Sequence, residues 1–415
     1  MRKRVVVTGL GCISPLGNDV GSTWAALLAG KSGAAAITHF DASEHKTRFA
    51  AEAKGFDAAS LFGSREARRM DRYTQFALAA ALQAVAHANL KIDDSNRDRI
   101  GAVIGSGIGG IDTCTDQMRI YQERGPSRVS PFMVPMMIID SGPGMVAIHL
   151  GVRGPNLGVV TACATGTNAV GEGAEVICRG HADVVLAGSS EAAIVGPAMA
   201  ALNSMTAIST RNEAPERASR PFDLNRDGFV VGEGAAVLVL EELAYARARG
   251  ARILAEVSGY GITNDAFHIS APAENGAGAA RCMQMALRDA GLEPREIDYI
   301  NAHGTSTTLN DRSETAAIKT VFGEYAYRLP VSSTKSMTGH LMGASGAVEA
   351  VICVQTLLDG MLAPTINYET LDPECDLDYV PNQARRLPVQ RVMSNSFGFG
   401  GHNATIIFSR YQESN

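Results

Sequence analysis

One cysteine and two histidines stand in settings suited to acyl chemistry. Cys163 follows Gly158-Val159-Val160-Thr161 and opens Cys-Ala-Thr-Gly-Thr-Asn-Ala-Val, a pattern that predicts a strand running directly into a small-residue helix. A thiol at that junction faces the positive end of a helix dipole and unpaired backbone N–H groups, which favour the thiolate and can hold an oxyanion. A buried structural cysteine would account for the spacing as well; Ala162, Ala164 and Gly166 favour a nucleophile, because they leave room for a substrate at the sulfur. His303 lies in Asn301-Ala302-His303-Gly304-Thr305-Ser306-Thr307 after the strand Asp298-Tyr299-Ile300, and His340 ends Ser333-Thr334-Lys335-Ser336-Met337-Thr338-Gly339-His340 after another strand. One such histidine is ordinarily structural. Two of them with a cysteine, all at carboxyl ends of strands, point to a single crevice. Lys335 reads as a surface cation by default, or, with Glu349 one helical stretch beyond His340, as half of a charge pair that organises the site.

Three further motifs allow two readings each. Asn395-Ser396-Phe397-Gly398-Phe399-Gly400-Gly401-His402-Asn403 is either a tight connection between strands or a loop whose glycines bring backbone close to a ligand and whose aromatics gate a pocket. Gly105-Ser106-Gly107-Ile108-Gly109-Gly110 matches a dinucleotide fingerprint, but it does not open the first βαβ unit, and the segment after it is polar and helical in pattern. Arg65, Arg68, Arg69 and Arg72 fall at i, i+3, i+4 and i+7, one basic helical face that is either solvated or, joined by Arg124 and Arg128, a dock for an acidic partner.

The elements that must position these groups alternate β-branched runs with alanine-rich stretches, as in an α/β fold. Candidate strands include Val5–Thr8, Ala102–Ile104, Gly158–Thr161, Asp183–Leu186, Ala236–Leu240 and Ala404–Phe408; candidate helices run from about Asp71 to Ala88, Cys163 to Arg179, Gly276 to Ala290 and Gly343 to Leu358. The helix at Cys163 resembles the one after His340, which begins Leu-Met-Gly-Ala-Ser-Gly-Ala-Val, and this hints at a duplication whose halves meet near Ala251 to Ala255. A chain of 415 residues, 46% hydrophobic, is long enough for two such halves. Its net charge of -6 argues against a nucleic-acid binder. Seven cysteines scattered without CxxC spacing fit neither a disulfide framework nor a zinc site and imply a reducing compartment. The basic start followed by Val5 to Leu10 imitates a signal peptide, but Gly9, Gly11 and Pro15 interrupt it, so a first buried strand is expected. No stretch is read as a membrane span, and no membrane insertion is expected.

Taken together, Val160-Thr161-Ala162-Cys163-Ala164, the His303 and His340 blocks, the Gly/Phe loop, Ser219-Arg220-Pro221-Phe222-Asp223, Arg226-Asp227-Gly228-Phe229 and Gly232-Glu233-Gly234 resemble the signature blocks of β-ketoacyl-acyl-carrier-protein synthases, over essentially the whole chain. In order and spacing they are most similar to the elongating, synthase II type. The resemblance implies a thiolase-like fold, two duplicated α/β halves in five α-β-α-β-α layers, with 1–253 carrying the nucleophile and 254–415 both histidines, and a homodimer. It implies that Cys163 accepts an acyl chain from acyl carrier protein, that His303 and His340 stabilise the enolate left when malonyl carrier protein loses carbon dioxide, and that the N–H groups of Cys163 and Phe399 form the oxyanion hole. Lys335 and Glu349 match its supporting pair. Thr305, Thr307 and Ser270 match substrate positions, the two threonines on the phosphopantetheine arm; Ile108 and Phe399 shape the acyl tunnel, and Arg65, Arg68, Arg69 and Arg128 the carrier-protein dock. No metal and no cofactor are implied beyond the phosphopantetheine that carries the substrates, and the expected location is a bacterial cytosol or a plastid stroma. Thr206 stands where an arginine is frequent and His402 where many relatives have threonine. A degradative thiolase would need a second catalytic cysteine, a primer-selective synthase a Cys-His-Asn set, and a non-catalytic chain-length partner usually lacks the cysteine. A polyketide or nodulation-type ketosynthase remains the alternative.

Overall fold

Runs such as Val184–Glu191 are buried along their whole length, as strands covered on both faces must be. The computed structural model describes residues 3–413, and among them ten strands form one mixed sheet. They are β1 Val5–Ile13, β2 Ile100–Gly105, β3 Asn156–Leu157, β4 Val184–Glu191, β5 Gly234–Glu242, β6 Ala255–Asn264, β7 Tyr299–Asn301, β8 Val331–Ser332, β9 Arg391–Gly398 and β10 His402–Ser409. Their order is β8-β7-β9-β10-β6-β1-β5-β4-β2-β3. In the first five strands β2 is parallel to β3 and β4, and β5 runs antiparallel between β4 and β1. The last five repeat this: β7 is parallel to β8 and β9, and β10 runs antiparallel between β9 and β6. The two arrays join where Val5–Val7 of β1 pair antiparallel with Ala255–Val257 of β6.

Six helices make the other layers: α1 Arg72–His87, α2 Ser141–Leu150, α3 Thr165–Cys178, α4 Ala277–Ala290, α5 Thr308–Phe322 and α6 Ser345–Asp359. Helices α1 and α2 cover the first array through Tyr73, Phe76, Leu78 and Val146, packed against Ile104, Leu186 and Val239. Helices α4 and α5 cover the second through Met283, Leu287, Ile318 and Phe322, against Ile300, Met393 and Ile407. Between the arrays, Val170 and Ile177 of α3 and Val348, Val351 and Leu357 of α6 share a core with Val185, Leu240, Val392 and Phe408, which completes an α-β-α-β-α stack. The two central helices meet backbone to backbone. A Cβ on Gly166 would lie 2.4 Å from the Ala347 amide, and one on Gly346 2.4 Å from the Thr167 amide, so glycine is required at both places.

Three expectations need correction. Residues 158–161 are not a strand: β3 ends at Leu157, and the Thr161 amide donates to Thr165 Oγ1 at 2.8 Å instead of to a ladder. The four arginines do not share one helical face. A four-residue helix, Ser64–Ala67, ends at Arg68, and Asp71 caps a new helix by accepting from the Tyr73 amide, so the register is broken between Arg69 and Arg72. Finally, Met342–Asp359 is long and apolar enough to cross a membrane, with mean hydropathy 1.2, although no such stretch was expected; 83% of it is buried between the two arrays, where an all-round apolar helix belongs.

Candidate active site

The chain reaches α3 through a 3-10 turn, Ala162–Ala164, entered by Ala162 in the left-handed region at φ +50°. Strain of this kind in a non-glycine residue persists only where surrounding contacts fix it. Here the Ala164 amide bonds to the Thr161 carbonyl, and Asn168 Nδ2 donates to Thr161 Oγ1 at 2.6 Å. The turn presents Cys163, 6% exposed, at the amino end of the helix. Burial pushes its thiol up to about 11, while the charge of Lys335 and hydrogen bonds from the Phe399 and Cys163 amides pull it down. Gly398 makes the approach of Phe399 possible, since a Cβ there would lie 3.0 Å from the Cys163 amide.

His303 follows β7 and is fixed by its backbone. Its amide donates to Glu314 Oε1 at 2.9 Å and that of Gly304 to Glu314 Oε2 at 2.7 Å, a cradle that Asn395 Nδ2 joins at 3.3 Å. His340 follows β8; its amide bonds to the Val230 carbonyl at 2.7 Å, and Nδ1 lies 2.9 Å from Ser345 Oγ. The two imidazoles are 5.4 Å apart with planes at 87°. Burial, reinforced by the nearby Lys335 charge, holds both well below the usual histidine range, so both are neutral at pH 7. Lys335 Nζ is 2.5 Å from Glu349 Oε1, and both side chains are at most 2% exposed. Burial pushes Glu349 up to about 7 against the pull of that lysine, and it pushes Glu314 to about 7 as well.

These groups open on one cleft of about 400 Å³. Cys163, His303, His340, Phe399, Thr305, Thr307 and Ser270 all line it, and Thr206 stands at its wall. The hydroxyls of Thr305 and Thr307 are 3.0 Å apart. Lys335 and Glu349 sit behind the lining. Ile108, 39% exposed, lies outside this cleft, on the loop after β2. Arg65, Arg68 and Arg128 are exposed, whereas Arg69 pairs with Glu66 at 3.3 Å and Arg72 is taken by Glu233 at 2.7 Å. Among the described residues no cluster of His, Cys, Asp and Glu is arranged to hold a metal ion.

Two buried carboxylates beside the site, Glu314 and Glu191, escaped sequence reasoning, because their partners are backbone amides that only the fold brings near. Glu191 also explains the glycine-rich loop after β2: the amides of Gly107 and Ile108 bind this internal carboxylate, and no dinucleotide is needed to satisfy them.

The β-ketoacyl synthase N-terminal domain model matches residues 2–246, and the C-terminal domain model matches 254–369. A 3-oxoacyl-[acyl-carrier-protein] synthase 2 from Synechocystis sp. is 52% identical over 411 residues, 99% of each chain. A β-ketoacyl synthase from Burkholderia phymatum superposes with TM-score 0.92 at 38% identity, covering 99% of this chain and 100% of its own. So does a ketosynthase solved with its type II polyketide acyl carrier protein, at TM-score 0.92 and 35% identity over 99% of this chain and 100% of that one. With the cysteine, both histidines and the lysine gathered as described, the chain belongs to the β-ketoacyl synthase family.

Proposed function

We propose that this chain is a 3-oxoacyl-[acyl-carrier-protein] synthase that lengthens an acyl chain by two carbons. The observation that carries the reading is the convergence of one thiol, two amide donors and two neutral imidazoles on a single cleft. In the first half-reaction the Cys163 sulfur attacks the thioester of acyl carrier protein; a new thioester forms, and the carrier thiol leaves with the cysteine's proton. Malonyl carrier protein then enters. Its C–C bond to the carboxylate breaks, carbon dioxide departs, and the electron pair passes to the thioester as an enolate. N–H donation from His303 and His340 stabilises that oxygen. Neutral donors suit this step, because imidazolium ions would hold the malonyl carboxylate and oppose its loss. The enolate carbon attacks the acyl carbonyl, whose oxyanion the Cys163 and Phe399 amides receive, and expulsion of the Cys163 thiolate releases the 3-oxoacyl product. Each oxyanion donor of this kind is worth roughly 100- to 1000-fold in rate. Decarboxylation supplies the carbanion, so the reading calls for no metal or redox group.

In this reading Lys335 and Glu349 support the site, Thr305, Thr307 and Ser270 hold the phosphopantetheine arm, and Ile108 shapes the acyl pocket. Acyl carrier protein docks on Arg65, Arg68 and Arg128, with Arg69 beside them. The chain divides into halves 1–253 and 254–415, with strands β1 to β5 in one and β6 to β10 in the other. A homodimer forms along the open edge of β3, where Leu157, Val160, Ile148 and Val134 are each about half or more exposed, an apolar face suited to a second copy. Seven cysteines outside any disulfide among the described residues favour the cytosol. Full-length identity to fatty-acid synthases exceeds that to the polyketide ketosynthase, which favours fatty-acid elongation.

Incubating the protein with an acyl carrier protein substrate and isotope-labelled malonyl carrier protein tests the reading. A carrier-bound 3-oxoacyl product two carbons longer, with one carbon dioxide released per product, is expected. Carbon dioxide release without chain extension would contradict it.

A further inference from the structure

Glu191, the last residue of β4, is fully buried, and the mechanism above gives it no task. Its Oε1 accepts from the Ser106 hydroxyl at 2.7 Å and from the Ile108 amide at 3.2 Å. Its Oε2 accepts from the amides of Gly107 at 2.7 Å and Gly343 at 2.9 Å. Ser106 Oγ in turn accepts from the Gly109 amide, so its own proton points to Glu191. Burial pushes the Glu191 carboxyl up, and the four donors around it pull the other way, each favouring the ionised form.

Those donors belong to two loops. Gly105–Gly110 carries Ile108, and Gly343 lies three residues after His340. The loops touch: a Cβ on Gly343 would lie 2.3 Å from the Gly107 amide, and one on Gly107 would lie 2.7 Å from Glu191 Oε2. The fold repeat gives this contact a meaning. Gly343-Ala344-Ser345-Gly346 stands where the other half has Cys163-Ala164-Thr165-Gly166, and Glu191 ends β4 as Gly398 ends β9. In one half two amides reach the nucleophile; in the other three amides and a hydroxyl reach a carboxylate.

We infer that Glu191 is a positioning residue: its carboxylate occupies the duplicated anion hole and locks the Ile108 loop to the turn behind His340. This rests on the proposed function, in which Ile108 borders the acyl chain and His340 serves decarboxylation. The acyl pocket and the decarboxylating histidine are therefore set by one group.

Glu191→Gln tests this, because an amide offers one oxygen where both oxygens now accept, so at least one backbone amide, Ile108 in one orientation or Gly107 and Gly343 in the other, is left facing an N–H. Ser106→Ala is the milder variant and loosens only the Ile108 side. For each, intact mass gives the acylation rate of Cys163 with short, medium and long acyl carrier proteins, and carbon dioxide release gives malonyl decarboxylation. Glu191→Gln is expected to lose about tenfold in chain-length discrimination and about tenfold in decarboxylation kcat, the scale of a charged hydrogen bond. Ser106→Ala should change the chain-length profile more than decarboxylation. Iodoacetamide alkylation across pH supplies a readout that a purely structural role would not move. Glu191 raises the Cys163 pKa while Lys335 lowers it and His303 and His340 stay neutral, so the Glu191→Gln profile should shift to lower pH. Folded variants with wild-type chain-length and alkylation profiles would overturn the inference, as would a uniform loss tracking a lower Tm. No adduct on the wild type with any donor would fault the functional reading instead, and the alkylation profile, which needs no carrier protein, would still decide the role of Glu191.

Discussion

Ala162 and Met342 both hold a left-handed φ, +50° and +48°, and each opens a 3-10 turn that feeds a central helix. The next residue is Cys163 in one turn and Gly343 in the other. At Cys163 the side chain faces the cleft, with the Phe399 and Cys163 amides beside its sulfur. At Gly343 there is no room for a side chain, and the amide is already taken by Glu191. In the second half it is His340, three residues earlier, that lines the cleft, beside His303. The two frames are alike, and the difference lies in what each turn meets, an open cleft in one and the protein's own carboxylate in the other.

The largest test of that asymmetry is a pair of substitutions. Cys163→Ala is expected to abolish the acyl adduct yet to retain malonyl decarboxylation, and Gly343→Cys to gain no adduct and to lose stability; an acyl group on residue 343 by peptide mass spectrometry would break the comparison. Next, His303→Ala and His340→Ala should each cost roughly 100- to 1000-fold in decarboxylation rate, measured as carbon dioxide release.

Lys335→Met leaves Glu349 as a buried carboxyl without its partner, and denaturant unfolding at pH 7 should show a loss of about 1–3 kcal/mol, the cost of an unsatisfied buried polar group. The sign with pH follows from burial. Glu349 already titrates near 7 beside the lysine and is pushed higher without it. A carboxyl raised in the folded state stabilises below its unfolded value of 4.5 and loses that stability as pH rises through the folded value, so the variant should be most stable in acid. The smallest effect belongs to the surface. Arg65→Glu with Arg68→Glu should raise KM for acyl carrier protein by about three- to tenfold, less at high salt, with kcat unchanged in steady-state assays.

The α/β character of the fold was legible because buried strands and small-residue helices leave a plain pattern, the Cys163 and His340 segments hinted at the duplication, and the five layers came from the family resemblance. Of the residues singled out for their chemistry, the structure gathers Cys163, His303 and His340 on one cleft and pairs Lys335 with Glu349 behind it. The site was not legible where local breaks or distant amides decide the outcome. The arginine face dissolved because the short helix stops at Ala67 and Asp71 caps a new one at Arg72, a break whose effect outweighs periodicity. Glu191 escaped notice because its donors lie 83 to 152 residues away in sequence. The glycine-rich loop had signalled an anion, and the anion was internal.

Intact-protein mass spectrometry of the wild type and Cys163→Ala, first with acyl carrier protein and then with malonyl carrier protein, tests the central claim most directly. One acyl mass should appear on the wild type alone and disappear when malonyl carrier protein is added, as the 3-oxoacyl product forms. An adduct that persists on Cys163→Ala, or none on the wild type with any donor, would contradict the assignment of Cys163 as the nucleophile.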